Sequence, residues 1–195
     1  MVRAFTGAPL DPEAVRRVLE AANRAPSAGF SQGYALLVLD EAERLADFWG
    51  LLASGEDDEA AGEGAGSRLD AVTRAPLVVV PLSCKDIYLD RYARDDKGWT
   101  DRDEARWPVP YWDIDTGFLA LLMLLAAVDE GLGALFFGIP PELVGRFREL
   151  FGVPGQYMPI GAVAIGRPDP GADPGGSSRV ISRRSLDDLV HRGRW

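Results

Sequence analysis

The segment 113–133, DIDTGFLALLMLLAAVDEGLG, carries apolar residues around nearly its whole circumference when wound at helical pitch. A surface helix needs only one apolar stripe, so this one must be covered on almost every side. A single domain of 195 residues has little with which to do that. The segment therefore predicts a core helix whose remaining face meets a second subunit. Its uninterrupted apolar run, 118–128, is shorter than the roughly 20 residues that span a bilayer, so no membrane role is expected. Gly131 and Gly133 end the helix.

Shorter elements surround it. LDPEAVRRVLEAANRAP, 10–26, predicts a helix with Asp11 as its cap, Pro12 in its first turn and Pro26 at its end. Val15, Val18, Leu19 and Ala22 share one of its faces. Residues 34–40 and 75–84 predict buried strands, the second central in a sheet, with a helix over 41–52 between them. Residues 54–67, rich in Gly and acid, predict a surface loop. Residues 85–112 have no clear period, carry many charges and hold Trp99, Trp107, Tyr111 and Trp112; they predict an irregular, lid-like insertion. A strand over 134–139, a helix over 140–152 and a core strand over 158–168 follow. Residues 169–195 form a polar C-terminal extension with a short amphipathic piece around Leu186 and Leu189. Without a repeat or linker, 1–195 reads as one α+β domain, a small mixed sheet flanked by helices.

Charge and scarce residue types exclude several functions. The net charge of −9 disfavours nucleic acid and anionic membranes as partners. The basic cluster Arg179, Arg183, Arg184, Arg192 and Arg194 suits one bound anion better than a polyanion. Cys84 and His191 are the only residues of their types, which rules out an internal disulfide and argues against a zinc site or a histidine-based nucleophile. No metal site and no catalytic side chain are expected. The N-terminus lacks the apolar core of a secretion signal, and a soluble, cytoplasmic protein is expected.

Four pieces suit an anion-and-ring site. Arg3 precedes the first helix. The turn APSAGFSQGY, 25–34, offers the Ser27 hydroxyl, backbone N–H groups and the Gln32 amide. GLGALFFGI, 131–139, offers small residues with Phe136 and Phe137. Arg183 and Arg184 add cations from the far end of the chain. A flavin mononucleotide needs this set: cations and N–H donors for phosphate, apolar walls for the ring faces, and an amide for the pyrimidine edge.

The sequence resembles the FMN-dependent nitroreductase family over nearly its whole length. The likeness rests on VRAF, on VLEAANRAPSAGFSQGYALLVL, on ALLMLLAAVDEGLGALFFGIPPELVGRFRELFGVP, on VAIGRPDP and on RRSLDDLV, in that order. The wording of the turn looks most like the dimethylbenzimidazole synthase branch. The resemblance implies a domain-embracing homodimer, each chain an α+β sandwich, with two FMN at the subunit interface. It implies that Pro26, Ser27, Ala28 and Gln32 line the flavin. The backbone of Phe136, Phe137 and Gly138 would approach its reactive edge, Arg3 would stand near the pyrimidine and ribityl side, and Arg183, with Arg184 beside it, would meet the phosphate. Phe30 stands where many members have Asn, and Gly33-Tyr34 replaces the frequent Pro-Trp. Of the family's opening motif only Arg3 and Phe5 are present. The implied activity is two-step reduction of nitroaromatic, quinone or similar electron-poor molecules by NADH or NADPH through the flavin, with Trp107, Tyr111 and Trp112 as candidates to contact the acceptor. Alternatives are specialised flavin chemistry (flavin fragmentation, biosynthetic dehydrogenation or dehalogenation) and a flavin-binding or scaffold protein without turnover.

Overall fold

Seven consecutive buried residues, Leu77–Ser83, form the strand around which the rest is laid out. The computed structural model describes residues 1–55, 71–174, 176–177 and 180–195. The acidic loop from residue 56 onward, and Arg179 of the C-terminal basic cluster, lie outside the described residues.

In chain order the elements are α1 (Pro12–Ala22), β1 (Tyr34–Leu39), α2 (Ala42–Ala53), β2 (Leu77–Ser83), α3 (Lys85–Tyr92), α4 (Tyr111–Asp129), β3 (Gly133–Phe137), α5 (Val144–Phe151), β4 (Met158–Pro159) and β5 (Ala162–Gly166). The sheet runs β1-β2-β5-β3, with β4 also on β2. Every strand pairing among the described residues is antiparallel, so the expected mixed sheet is corrected. Leu39 pairs with Val78, so β2 starts beside the place where β1 stops. Helix α2 lies between the two strands in sequence.

Alternation along β2 divides the core in two. Val78, Val80 and Leu82 face α2 and α5, joining Phe48, Trp49 and Phe147. Leu77 and Val79 face α1 and α4, joining Val18, Leu119, Met123 and Ala127. The Asp11 carboxylate caps α1 by accepting the Glu13 N–H at 3.0 Å, and Pro12 occupies the first turn.

Four further expectations are corrected. Residues 85–112 are not irregular throughout, because Lys85–Tyr92 is helical. It was hidden because its apolar residues define no face. Tyr111 and Trp112 belong to α4, which begins directly after Pro110. The stretch 140–152 opens as a 3-10 turn, Pro141–Leu143, before α5. The stretch 158–168 is two strands: Gly161, at φ 149°, breaks it opposite Pro81, which has no N–H to give a continuous ladder.

Helix α4 is 19 residues long and has a mean hydropathy of 1.5, enough by length and composition alone to cross a membrane, contrary to the reading from its apolar run. Here it is a core helix on one side only. Leu119, Ala120, Met123 and Ala127 are buried against the sheet. Phe118, Leu121, Leu125 and Val128 are 43%, 50%, 58% and 69% exposed. Their spacing of three, four and three residues makes one continuous apolar stripe.

Met123 is fully buried between α4 and the sheet. Met123→Ala is expected to lower unfolding stability by about 2–5 kcal/mol, seen as a lower urea midpoint at unchanged slope.

Candidate active site

The turn before β1 is held from beneath by two elements. Its backbone visits the left-handed region three times, at Gly29 (φ 60°), Phe30 (φ 54°) and Gln32 (φ 52°). Ser27 closes it: its hydroxyl oxygen accepts the Gln32 N–H at 2.9 Å and its carbonyl accepts the Phe30 N–H at 2.9 Å. From α4, the Asp115 carboxylate accepts the Ala28 N–H at 2.8 Å. The same oxygen accepts the Tyr88 hydroxyl of α3 at 2.8 Å. Burial, with the bond to Asp115, pushes the Tyr88 phenol above its ordinary pKa and keeps it a donor. Arg91 Nε donates to the Gly29 carbonyl at 2.9 Å. Tyr88 and Tyr92 rings lie so close beneath Gly33 and Gly29 that a Cβ at either glycine would collide with them. On the outer side, Pro26, Phe30 and Gln32 are exposed, and Ser27 and Ala28 are half-buried.

Strand directions locate the other predicted residues. The start of β1, the end of β2 and the end of β3 lie at one end of the sheet. The 26–32 turn and the exposed Gly138 therefore share that end, on opposite edges, three strand spacings or about 14 Å apart. Phe137 stacks on Trp49 at 5.6 Å, and Phe136 packs across Gly161, so a ligand at this segment would meet backbone and Gly138 before the Phe137 ring. Arg3 lies at the opposite end: Val2 N–H donates to the Ala134 carbonyl at 3.0 Å, and the Arg3 guanidinium lies against Gly176. Arg183 and Arg184 are exposed on a tail that is exposed from residue 180 onward, where Arg184 donates to the Asp188 carbonyl. One chain thus brings the turn residues together, and separates them from Arg3 and from Gly138.

The acceptor-contact candidates belong to an aromatic cluster beside the turn. Trp107 lies 4.5 Å from Tyr92, 5.3 Å from Trp99, 5.8 Å from Tyr111 and 6.0 Å from Trp112, between ring centroids. Trp112 is buried, whereas Trp107 and Tyr111 are half-buried. The cluster packs Tyr88 and Tyr92 against the turn, so its first role is support. Sequence reasoning missed Asp115, Tyr88 and Arg91. The available signal was an Asp inside an otherwise apolar helix, since a buried carboxylate requires donors. No group of residues suited to hold a metal ion occurs among the described residues. An open cleft of about 1030 Å³, lined by Leu10, Val15, Leu19, Leu45, Trp49 and Leu77, lies at the Leu77 end of β2, away from the turn.

The chain belongs to the nitroreductase family: the model described as "Nitroreductase family" matches residues 1–167. An NADPH-dependent oxidoreductase of Staphylococcus aureus (strain MRSA252) is 26% identical over 200 residues, covering 100% of this chain and 70% of the relative. Among solved structures, a nitroreductase, CinD, from Lactococcus lactis in complex with nicotinic acid matches with a TM-score of 0.76 at 17% identity, over 100% of this chain and 95% of the other. An FMN-dependent nitroreductase from Clostridium difficile R20291 matches with a TM-score of 0.67 at 19% identity, over 100% and 94%. The family makes this chain an oxidoreductase; the structural neighbours establish the fold.

A bulky side chain at positive φ costs roughly 1–2 kcal/mol, and more if β-branched. Phe30→Gly is therefore expected to leave the thermal midpoint unchanged or higher, while Phe30→Val lowers stability by about 1 kcal/mol or more, both read by calorimetry.

Proposed function

We propose that this chain is one half of an FMN-dependent oxidoreductase dimer that reduces nitroaromatic, quinone or similar electron-poor small molecules with NADH or NADPH. The observation that carries the reading is the family match across 1–167, which takes in the turn, α4 and the segment ending at Gly138. Bound FMN would supply the redox chemistry, accepting hydride from the nicotinamide and passing it to the acceptor.

The residues present fit that cofactor, in two halves. Ser27, whose hydroxyl accepts the Gln32 N–H and keeps its own proton to donate, and Gln32, which is exposed, suit the polar edge of a ring, and the exposed Gly138 allows close backbone approach. Its glycine has open space where a Cβ would stand. Arg3, Arg183 and Arg184 are the cations for the phosphate and for the negative charge that grows on a reduced ring. Because Arg3 and Gly138 lie apart from the turn in one chain, a two-fold partner would be the means of joining them. The unpartnered stripe on α4 supports this, since it offers a self-complementary apolar face. The exposed tail, with Val180, Ile181, Leu186 and Trp195 facing solvent, suits an arm that embraces the second copy. No side chain is required as acid or base; the chain binds, orients and excludes water. Tyr111, half-buried at the start of α4, is the best placed of the three aromatic candidates to meet an acceptor. A dimer of this kind, consuming NAD(P)H at a net charge of −9, suits the cytoplasm.

Purified protein should carry flavin absorbance that NADH or NADPH bleaches and a quinone or nitroaromatic restores. A colourless protein whose melting temperature FMN does not raise would leave only the scaffold reading. Leu121→Glu combined with Leu125→Glu should convert dimer to monomer in sedimentation and weaken FMN retention by tenfold or more, on the order of 1.4 kcal/mol. A variant that stays dimeric would remove α4 from the interface.

A further inference from the structure

We propose that Arg91 and Asp115 are positioning residues: together they hold the 27–32 turn in the left-handed shape that presents Ser27 and Gln32 to the cofactor. The inference rests on the FMN reading above.

The turn's shape is not one its own residues favour. Phe30 and Gln32 are left-handed without being glycine, and each such residue persists only where the surroundings over-determine it. The side chains that result are exposed, Phe30 at 73%. The unfavourable backbone therefore buries nothing. It serves what the turn displays on its outer side.

The surroundings that fix it converge from two helices. Asp115 is the only carboxylate among the buried polar residues described, and it sits on α4, the helix with the apolar stripe. One oxygen takes both the Ala28 N–H and the Tyr88 hydroxyl at 2.8 Å each, so a single charged atom ties the turn to α3 and α4. Arg91 fixes the peptide between Gly29 and Phe30. Its Nε–H meets the Gly29 carbonyl, while its two terminal nitrogens each donate to an Asp96 oxygen at 2.8 Å, which sets the plane of the fork. Asp115 thus holds the amide entering the left-handed stretch, and Arg91 holds the carbonyl of its first left-handed residue. A lysine cannot make both of Arg91's contacts at once, because its charge sits at one point rather than in a planar fork.

The test uses the full chain as Arg91→Lys, Asp115→Asn and Tyr88→Phe. FMN affinity is read by flavin fluorescence quenching, turn opening by amide hydrogen exchange at 29–32, and fold integrity by the melting temperature of the FMN-free protein. Arg91→Lys should weaken FMN binding about 5- to 20-fold and speed exchange at the turn, with the FMN-free melting temperature within about 3 °C of wild type. Asp115→Asn should weaken binding at least as much. Should it fail to fold, Tyr88→Phe carries that arm, with a loss of about 2- to 5-fold expected from removing one of the two donors. Wild-type protein that binds FMN while Arg91→Lys and the Asp115 arm bind it equally well overturns this inference alone. Losses of affinity that merely track lost melting temperature, with unchanged exchange at 29–32, also overturn it. Wild-type protein that takes up no FMN overturns the oxidoreductase reading and this inference with it.

Discussion

Helix α4 presents more apolar surface than one sheet can cover, and much of the architecture answers to that. Its inner side, through Leu119, Met123 and Ala127, closes the core layer shared with α1 and the sheet. Its outer stripe, Phe118 to Val128, has no cover among the described residues. Each such side chain moved out of water contributes about 1.5–3 kcal/mol, so in the proposed dimer four on each of two copies would form a substantial association term before the cost of docking is subtracted. A helix polar on that face would have served a monomer. In the proposed dimer the apolar choice would tie the stability of the core helix to assembly.

The same helix carries the one buried carboxylate described. Asp115 lies a single turn from the start of the apolar stretch, where an uncompensated charge would be costly. Its two donors come from segments distant in sequence, Ala28 and Tyr88. Satisfying it therefore requires α3, α4 and the turn to be in register together. The aromatic cluster around Trp107 reinforces this from outside, since Tyr88 and Tyr92 reach both that cluster and the glycines of the turn. What reads in sequence as a loop of charges and tryptophans is a brace.

Much of this was legible in the sequence because it rests on local chemistry. Asp11 and Pro12 start α1 as their side chains dictate, and the unbroken apolar run of β2 marks a strand buried on both faces. The excess apolar surface of α4 was readable from periodicity alone. Three things were not. Helix α3 has no amphipathic face, because its residues divide their work between Tyr88 packed inward, Arg91 reaching sideways and acids facing solvent. The break at Gly161 depends on Pro81 of another strand, a long-range fact. The antiparallel order depends on where the chain re-enters the sheet after α2, which alternating helices and strands do not reveal. In the candidate site, small residues and Gln32 marked the turn, but the groups that hold it are scattered over 88, 91 and 115 and carry no motif.

The division of the site between two ends of the sheet has a geometric consequence. A β3 strand of five residues separates the Arg3 end from the Gly138 end by roughly 13 Å, and the sheet's width separates Gly138 from the turn by a similar amount. No side-chain movement closes both gaps. In the proposed dimer a second copy would have to supply what one chain holds apart. The turn is clasped to a core helix, whereas Arg184, Ser185 and Asp188 of the exposed tail hydrogen-bond to one another. In the proposed dimer, a rigid turn on one protomer and an exposed cation on the other would divide the work of holding one ligand.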